Sequence, residues 1–305
     1  EWGHGLDDND ANGSILSTGS EGIADIYANL RLSESCVGRG FFLSNFTCNG
    51  GYGNPCIDPP GPTPPCSGVR DADWAHRSAN TPTTLTSIAS CGGEVHCVGY
   101  LNAETGWDLW NRDLTGGTFN YSRNLAREIA TQLTFRGAGA VVNWWSGAAP
   151  NGGSAADTGY QNYLVADDDN GSLADGTPHM QAIYDAFNRH QIACAVPTVT
   201  TAGCAGGPTT APVVTPTSQD KSVDLAWTAV SGASSYRVYR TDGLYGCEFG
   251  KTLVAEIAGL AYTDNGLQNN RTYSYQIEPM GAADECFGTV ISACTQVVPT
   301  SAGSS

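Results

Sequence analysis

The sequence has little positive charge and no long apolar run. Only 14 of its 305 residues are Lys or Arg, against 30 Asp or Glu, which gives a formal net charge of −16. Such an acidic surface repels polyphosphates, so we expect no nucleic-acid partner. A stretch of about 18 apolar residues is also lacking, so we expect no membrane span. Hydrophobic residues still make up 40% of the chain, enough for buried cores.

Cys-x-x-Cys pairs are absent too, although the chain has eleven cysteines. This absence disfavours a zinc ribbon, and the loop-like spacing indicates disulfides formed in an oxidising, extracellular compartment. Because the count is odd, one thiol is free or pairs outside this chain. The sequence does not open with a signal peptide, so we expect a processed or truncated secreted protein. Glycosylation sequons, used only if the host glycosylates, stand at Asn12, Asn45, Asn120, Asn170 and Asn270.

The hydrophobic pattern divides the chain into two parts. Residues 1–193 predict a mainly α domain with long, disulfide-stapled loops, because helical periodicity alternates with a Gly-, Pro- and Cys-rich stretch. The predicted helices are 21–30, 98–113, 121–136 and 177–190, and the predicted long loop is 36–93.

The second part follows a linker. Residues 194–208 have a linker composition. After them, apolar and polar residues alternate over 222–227, 235–240 and 272–277, which predicts an all-β sandwich. We assign the sandwich to 209–298 and a tail to 299–305.

Residues 209–298 resemble a fibronectin type III domain, an immunoglobulin-like sandwich. Trp227 is placed like the core tryptophan of the second strand, and Leu267 followed by Tyr273 resembles the start of the sixth strand with its corner tyrosine. Such domains usually lack disulfides, so the three cysteines of this segment are additions, of which any two can pair: Cys247, Cys286 and Cys294. The resemblance implies binding to a surface, a polymer or a neighbouring domain.

The first 25 residues carry the pattern of a zinc site. Glu1-x-x-His4 is the tail of a His-Glu-x-x-His motif, whose first His we expect one position upstream. On a helix this motif points two imidazoles at one metal and makes Glu1 the general base. Glu21 is suited to be a third zinc ligand. Asp25, one helical turn further on, is suited to accept a hydrogen bond from a zinc-bound imidazole and so to fix its tautomer. Glu-x-x-His alone occurs by chance on many helices, so the zinc-site prediction depends on finding it together with Glu21 and Asp25.

This arrangement resembles the gluzincin metallopeptidases of the thermolysin and fungalysin kind. The run Ser20-Glu21-Gly22-Ile23-Ala24-Asp25 is most similar to the fungalysin-like pattern Gly-Glu-Gly-x-x-Asp. The resemblance implies a secreted zinc endopeptidase, a hydrolase of protein or peptide substrates, whose C-terminal part spans 1–193. The motif match itself covers only residues 1–25.

A second segment, Gly92-Gly93-Glu94-Val95-His96, resembles the Gly-Gly-Val-His setting in which thermolysin-type gluzincins carry a catalytic histidine. The resemblance implies that His96 stabilises the oxyanion. Glu94 is an extra residue, and the tyrosine that assists this histidine in that family has no counterpart between His4 and Glu21. The alternative is a structural or exposed histidine. Cys91 and Cys97, on either side, are placed to close a short disulfide loop.

Two acidic loops predict calcium sites, since hard oxygen ligands at short spacing suit this ion. The first resembles half of an EF-hand loop but lacks its twelfth-position Glu; its ligands would be Asp8, Asp10 and Asn12. The second would use Asp167, Asp169 and Asp175. The alternative for each is a solvated polar turn. His179, at a helix start, is interpreted as structural.

The main alternative to a peptidase is a catalytically silent extracellular protein, structural or adhesive, built on a peptidase scaffold. Disulfide-rich loops, calcium sites and a β-sandwich all suit that class. A carbohydrate-binding module has little support, because no row of exposed aromatic residues can be assigned.

Overall fold

The structure, a computed structural model, describes most of the chain: 20–38, 43–44, 47–48, 70–73, 75, 83–139, 141, 143–202, 207–243, 246–247, 251–281 and 290–301. The chain divides into two compact units, 1–203 and 204–305. This boundary lies inside the segment 194–208 assigned above to a linker. Five predicted site residues lie outside the described part: Glu1, His4, Asp8, Asp10 and Asn12.

The first unit is built mainly from five α-helices in its described part: α1 (Ser20–Leu32), α2 (Val95–Asp108), α3 (Arg123–Ala138), α4 (Gly159–Asp167) and α5 (Met180–Arg189). A 3₁₀ helix, Ser87–Cys91, precedes α2, and a π-helical turn, Leu109–Leu114, continues it. The described part of the unit also contains two short antiparallel pairs: β1 (Cys36–Val37) with β4 (Arg70–Asp71), and β2 (Leu43–Ser44) with β3 (Thr47–Cys48).

Two helix predictions in this unit need correction. The helix predicted over 121–136 begins at Arg123, and of its apolar residues Leu125, Ile129 and Leu133 are buried whereas Phe135 is 56% exposed. The last predicted helix begins at Met180 rather than at 177, because the Asp167 carboxylate holds Thr177 and the His179 backbone N–H in a turn before it.

Helices α1 and α2 cross at glycines. A Cβ added to Gly22 would collide with the Gly99 carbonyl oxygen, and a Cβ on Gly106 would stand 2.7 Å from the Ile26 side chain. Glycine therefore allows the two backbones to approach more closely than any other residue would. This crossing decides which side chains of α1 and α2 meet at their N-terminal ends.

The second unit is a two-layer β-sandwich. Its strands are β5 (Val214–Gln219), β6 (Ser222–Trp227), β7 (Ser235–Asp242), β8 (Thr252–Ile257), β9 (Ala261–Asn265), β10 (Tyr273–Met280) and β11 (Thr295–Val297). One sheet has the order β5-β6-β9 and the other β11-β10-β7-β8, with antiparallel neighbours throughout. Apolar side chains of both sheets form one core, in which Trp227 packs against Tyr236 with ring centroids 5.6 Å apart.

The predicted tyrosine corner is present in this unit. The Gln268 N–H donates a 2.9 Å hydrogen bond to the hydroxyl of Tyr273, the first residue of β10. The corner tyrosine of immunoglobulin-like sandwiches bonds to nearby upstream backbone in the same way. Together with the strand order, this contact supports a fibronectin type III-like fold for the second unit.

In a sandwich strand, buried and exposed residues usually alternate. Strand β10 departs from this pattern, since all eight of its residues are buried. Tyr275 and Ile277 face the core, whereas the alternate positions include Gln276 and Glu278, which are 2% and 0% exposed. Gln276 donates to the Ser292 carbonyl, so the segment before β11 covers this outer face. A disulfide links Cys294, in this segment, to Cys247, in the connection between β7 and β8.

Candidate functional site

The candidate site lies where the N-terminal ends of α1 and α2 meet. Glu21 is the second residue of α1 and His96 the second of α2. The close approach of Gly22 and Gly99 brings both side chains to one place. His96 Nε2 stands 3.4 Å from Glu21 Oε2, with side chains 45% and 37% exposed. The structure thus gathers two residues that the sequence analysis assigned to one site from separate motifs.

Glu94 binds the opposite edge of the His96 imidazole. One carboxylate oxygen accepts a 2.6 Å hydrogen bond from His96 Nδ1, and the other accepts from the Cys97 backbone N–H at 2.8 Å. Burial opposes ionisation of Glu94, but these hydrogen bonds outweigh it and hold the pKa of Glu94 below its usual value. Glu94 is therefore both the N-cap of α2 and the partner of His96.

A buried ion pair stands behind Glu21. Arg70, on β4, binds both carboxylate oxygens of Asp25 through Nε and Nη2, and the Nη2 contact measures 2.7 Å. The same guanidinium lies 3.7 Å from Glu21 Oε2. Burial raises the pKa of Asp25, while the hydrogen bonds and charge of Arg70 act in the opposite direction. Among the described residues, Asp25 pairs with this guanidinium; His4, one of the zinc-ligand imidazoles that it was predicted to hold, lies outside them.

Sequence reasoning missed Arg70 altogether. It lies in a Gly-, Pro- and Cys-rich segment without periodicity and 45 residues from Asp25, so no local pattern points to it. Glu94 was noted only as an extra residue. It lies four positions before the predicted start of the helix at 98, and Glu is not a preferred N-cap residue, so no sequence signal identified it as the cap of α2.

The segment before His96 is held by a disulfide. Cys91, the last residue of the 3₁₀ helix, pairs with Cys97 in the first turn of α2, as its spacing predicted. Gly92 and Gly93 between them have φ values of 61° and 85°. Positive φ favours glycine, so this tight reversal explains both glycines.

The donor types at this place suit zinc, which takes carboxylate oxygen and imidazole nitrogen ligands in proteins. Glu21 offers a half-exposed carboxylate. His4, the other predicted ligand in this sequence, lies outside the described residues, as does Glu1. Within the ranges that the structure describes, no three His, Cys, Asp or Glu side chains form a metal-binding group. The zinc site therefore stays a prediction.

The second acidic loop is organised differently from the predicted calcium site. Asp167 is 0% exposed, and its carboxylate accepts from the Thr177 hydroxyl and from the backbone and Nδ1 of His179, each at 2.6 Å. Asp175 instead accepts from the Asn170 amide at 2.8 Å. The predicted ligands Asp167, Asp169 and Asp175 are thus not gathered around one point. His179 is structural here, as interpreted from its sequence position.

A second buried charge cluster joins α2 to α5. Arg189 Nη1 lies 2.6 Å from Asp108, and Nη2 lies 2.7 Å from Asp113. His190 Nε2 is 3.5 Å from Asp108, and its Nδ1 is 3.7 Å from Glu104. Burial opposes ionisation of Asp108, but His190 and Arg189 outweigh it and lower its pKa. These groups are nearly all buried, so the cluster ties helices together.

A cavity of about 600 Å³ opens elsewhere in the first unit. Its walls include Leu85, Ile88 and Trp145 and are mostly apolar, but they include neither Glu21 nor His96. The cavity is therefore separate from the candidate site. In the described part of the chain, no helix is long and apolar enough to span a bilayer.

No protein-family model and no curated protein matches the chain significantly. Its neighbours among solved structures include fibronectin type III domains. One is the FN1–FN3 segment of chicken CNTN1, with 14% identity, a TM-score of 0.28 and coverage of 32% of this chain and 34% of that one. The chain thus spans about a third of that structure's length. Another is the fn3 domain of the human collagen alpha-1(XX) chain, with 21% identity, a TM-score of 0.25 and coverage of 33% and 95%. TM-scores this low do not support a fold assignment, so the assignment of the second unit depends on its own strand order.

Proposed function

We propose that this chain belongs to a secreted zinc-dependent endopeptidase, with residues 1–193 as the C-terminal part of a gluzincin-like domain. The observation that carries the proposal is the 3.4 Å approach of His96 Nε2 to Glu21 Oε2. The two residues are 75 positions apart and were assigned to one site from two separate motifs of the same family. An accidental match of either motif gives no reason for their side chains to meet.

The surroundings of this pair also suit a catalytic site. Glu21 and His96 are both partly exposed, so a substrate can reach them. Arg70 and Asp25 form a buried support behind Glu21. Titratable groups that face one another in an accessible place, with perturbed pKa values close by, are typical of active sites.

Each residue then has a defined task. Glu21 and His4, together with a histidine upstream of Glu1, would hold the zinc ion. When bound, zinc supplies Lewis-acid polarisation of a carbonyl and lowers the pKa of water. Glu1 would accept the proton of the attacking water and later donate it to the leaving amine. His96 would donate a hydrogen bond from Nε2 to the oxyanion of the peptide carbonyl.

The second unit would act as an accessory domain that binds a surface, a polymer or a neighbouring domain. Its fibronectin type III-like strand order is compatible with this role, but the fold alone specifies no ligand. The competing function is an extracellular structural or adhesive protein that retains a peptidase scaffold without turnover.

The test uses the mature secreted protein, with the residues that precede Glu1. We expect about one zinc per molecule by mass spectrometry of metals, and casein cleavage that 1,10-phenanthroline abolishes. Glu21→Gln should lose the zinc, and Glu1→Gln should keep it but lose cleavage by a factor of at least about 100. Glu256→Gln, at an exposed position of the second unit, is the control.

Two results would contradict the proposal. Stoichiometric zinc without cleavage of any protein substrate would favour the silent scaffold. Unchanged zinc content in Glu21→Gln would remove Glu21 from the ligand set, and with it the argument from the Glu21–His96 contact.

A further inference from the structure

The cavity of the first unit has two walls that come from distant parts of the chain. One wall includes Ile88 and Ala89 of the 3₁₀ helix, and the other is the segment 143–149, with Trp145 and Ala148. Ile88 and Trp145 are buried, whereas Ala89 and Ala148 are exposed, so apolar groups form the deeper part. Small-molecule sites usually have volumes of about 300–1,000 Å³, and this cavity measures about 600 Å³.

Gln191, two residues after α5, fastens both walls. Its side-chain Oε1 accepts from the backbone N–H and the hydroxyl of Thr86, at 3.0 and 2.7 Å. Its backbone carbonyl accepts from the N–H of Gly152, just after the second wall, at 3.2 Å. The neighbouring His190 carbonyl accepts from the Leu85 N–H at 3.0 Å. Because both walls are tied to one short segment, the cavity is formed before a ligand enters, which lowers the cost of binding.

None of the described residues that line the cavity carries a charge. An ion that entered it would lose water without gaining a partner of opposite charge, which is costly. Two polar side chains of the lining already donate elsewhere: Thr86 to Gln191, and the Asn143 amide to the Asp157 carboxylate at 2.9 Å. The hydroxyl of Ser146 adds one more polar group. The lining therefore favours an uncharged, mainly apolar ligand with few hydrogen-bonding groups.

The walls offer little to an extended polypeptide. A peptide that adds as a strand needs unpaired backbone N–H and C=O groups along an edge. The backbone N–H groups of three wall residues instead donate within the first unit: Leu85, Ile88 and Ser146. A compact molecule therefore matches this cavity better than a peptide does.

We propose that this cavity binds a small, uncharged ring compound between the walls that carry Ile88 and Trp145. An indole supplies a large apolar surface and packs well against another ring, so Trp145 would contribute much of the contact. The site does not depend on the proposed peptidase function, because its lining includes neither Glu21 nor His96.

The test titrates the mature secreted protein, labelled with ¹⁵N-tryptophan, with uncharged 2-naphthol and separately with its charged counterpart naphthalene-2-sulfonate. The chain has seven tryptophans, and Trp145→Phe assigns the indole N–H signal of Trp145. We expect 2-naphthol to shift this signal with a Kd below about 1 mM. The sulfonate should bind at least about 10-fold more weakly. Equal affinities for the two compounds, or no saturable shift of the Trp145 signal, would overturn the proposal.

Two variants locate the binding site. Ala89→Glu and Ala148→Glu each place a carboxylate in one wall, and both alanines are exposed, so the fold should tolerate the change. We expect each variant to weaken 2-naphthol binding at least about 10-fold. Ala156→Glu, at an exposed position of the same unit outside the lining, is the control and should bind like the wild type.

Two further outcomes would contradict the proposal. Unchanged binding in both wall variants would place the probe elsewhere on the protein. A shift of the Trp145 signal by a tryptophan-containing tripeptide amide, but not by 2-naphthol, would replace the small molecule by a polypeptide partner.

Discussion

Gly22 of α1 and Gly99 of α2 lie backbone against backbone. A Cβ on Gly99 would stand 2.9 Å from the Gly22 nitrogen, a distance that real Cβ atoms essentially never show. The obstacle is main chain, which cannot move aside as a flexible side chain would. The separation of the two helices, and with it the contact between Glu21 and His96, therefore depends on glycine at both positions.

Gly99→Ala should push α1 away from α2. Alanine improves helix propensity by about 1 kcal/mol, but forcing an atom into packed backbone costs about 1–3 kcal/mol or more. We expect a net loss of stability in thermal melts, together with a changed imidazole NMR signal of His96. The control is Gly139→Ala, where the nearest atom to an added Cβ is 3.9 Å away. Equal melting temperatures for Gly99→Ala and wild type would show that the helices can separate freely.

Arg189→Met should be strongly destabilising. Its guanidinium binds Asp108 and Asp113, whose side chains are only 3% and 8% exposed. Removing the cation takes away the guanidinium that pairs with the buried Asp113 and one of the cationic neighbours of the buried Asp108, for which we expect a loss of about 3 kcal/mol in the free energy of unfolding. Arg112→Met is a matched control, since Arg112 is 43% exposed and 3.7 Å from Asp108. Its loss should stay within about 1 kcal/mol. Equal losses in denaturant titrations would contradict this reading of the cluster.

The same cluster should make stability depend on pH. The pKa of Asp108 is lower in the folded protein than its ordinary value of 3.8. The folded state thus binds a proton less readily than the unfolded chain, so the contribution of Asp108 is complete above the unfolded pKa. It is lost as pH falls through the lowered folded pKa.

Asp108→Asn tests this pH dependence. The variant should be less stable than the wild type at neutral pH, and the difference in melting temperature should shrink at about pH 3. Asp220→Asn, at an exposed turn, controls for the loss of one surface carboxylate. A difference that stays constant over this range would mean that Asp108 does not titrate as inferred.

The disulfide of the second unit should contribute measurably to its stability. Cys247 and Cys294 are 47 positions apart and close the loop that contains β8, β9 and β10. Replacing both by Ala should cost about 2–5 kcal/mol in the free energy of unfolding. Cys194→Ala is the control, because Cys194 forms no disulfide. A double variant that melts like the wild type would mean that the non-covalent contacts of this unit are sufficient for its stability without the disulfide.

The strands of the second unit were the most predictable part of the fold. Residues 222–227 alternate in polarity, and β6 has the predicted bounds, because one face of a sandwich strand is buried. The corner tyrosine, Tyr273, was also identified from its position after Leu267, although its backbone partner Gln268 was not. The pairing of Cys247 with Cys294 was not, because sequence allows any two of three cysteines to pair.

Helix α4 was missed because a carboxylate takes part in its buried face. Tyr160, Tyr163 and Leu164 follow helical spacing, and Asp167 occupies the next buried position. A buried Asp at that point hides the stripe and makes the end of the helix resemble an acidic loop. Only the approach of His179, twelve residues later, explains why Asp167 turns inward.

At the candidate site, motifs predicted the members Glu21, Asp25 and His96 but not their partners. The contacts that Arg70 and Glu94 make depend on geometry that no spacing rule specifies. Arg70 reaches Asp25 through the pairing of β4 with β1, two residues of sheet in a segment without periodicity. Such long-range contacts become visible only when the chain is folded.

The link between Cys247 and Cys294 also has a mechanical meaning. If the two ends of the second unit are pulled apart, the chain between these cysteines cannot lengthen, even after every strand has separated. That loop spans 47 positions, and a fully extended chain covers about 3.3–3.6 Å per residue, so roughly 160 Å of contour stays locked. Under tension, this part of the unit would therefore stay short, and the extension would come from the residues outside the loop, which include β5, β6 and β7.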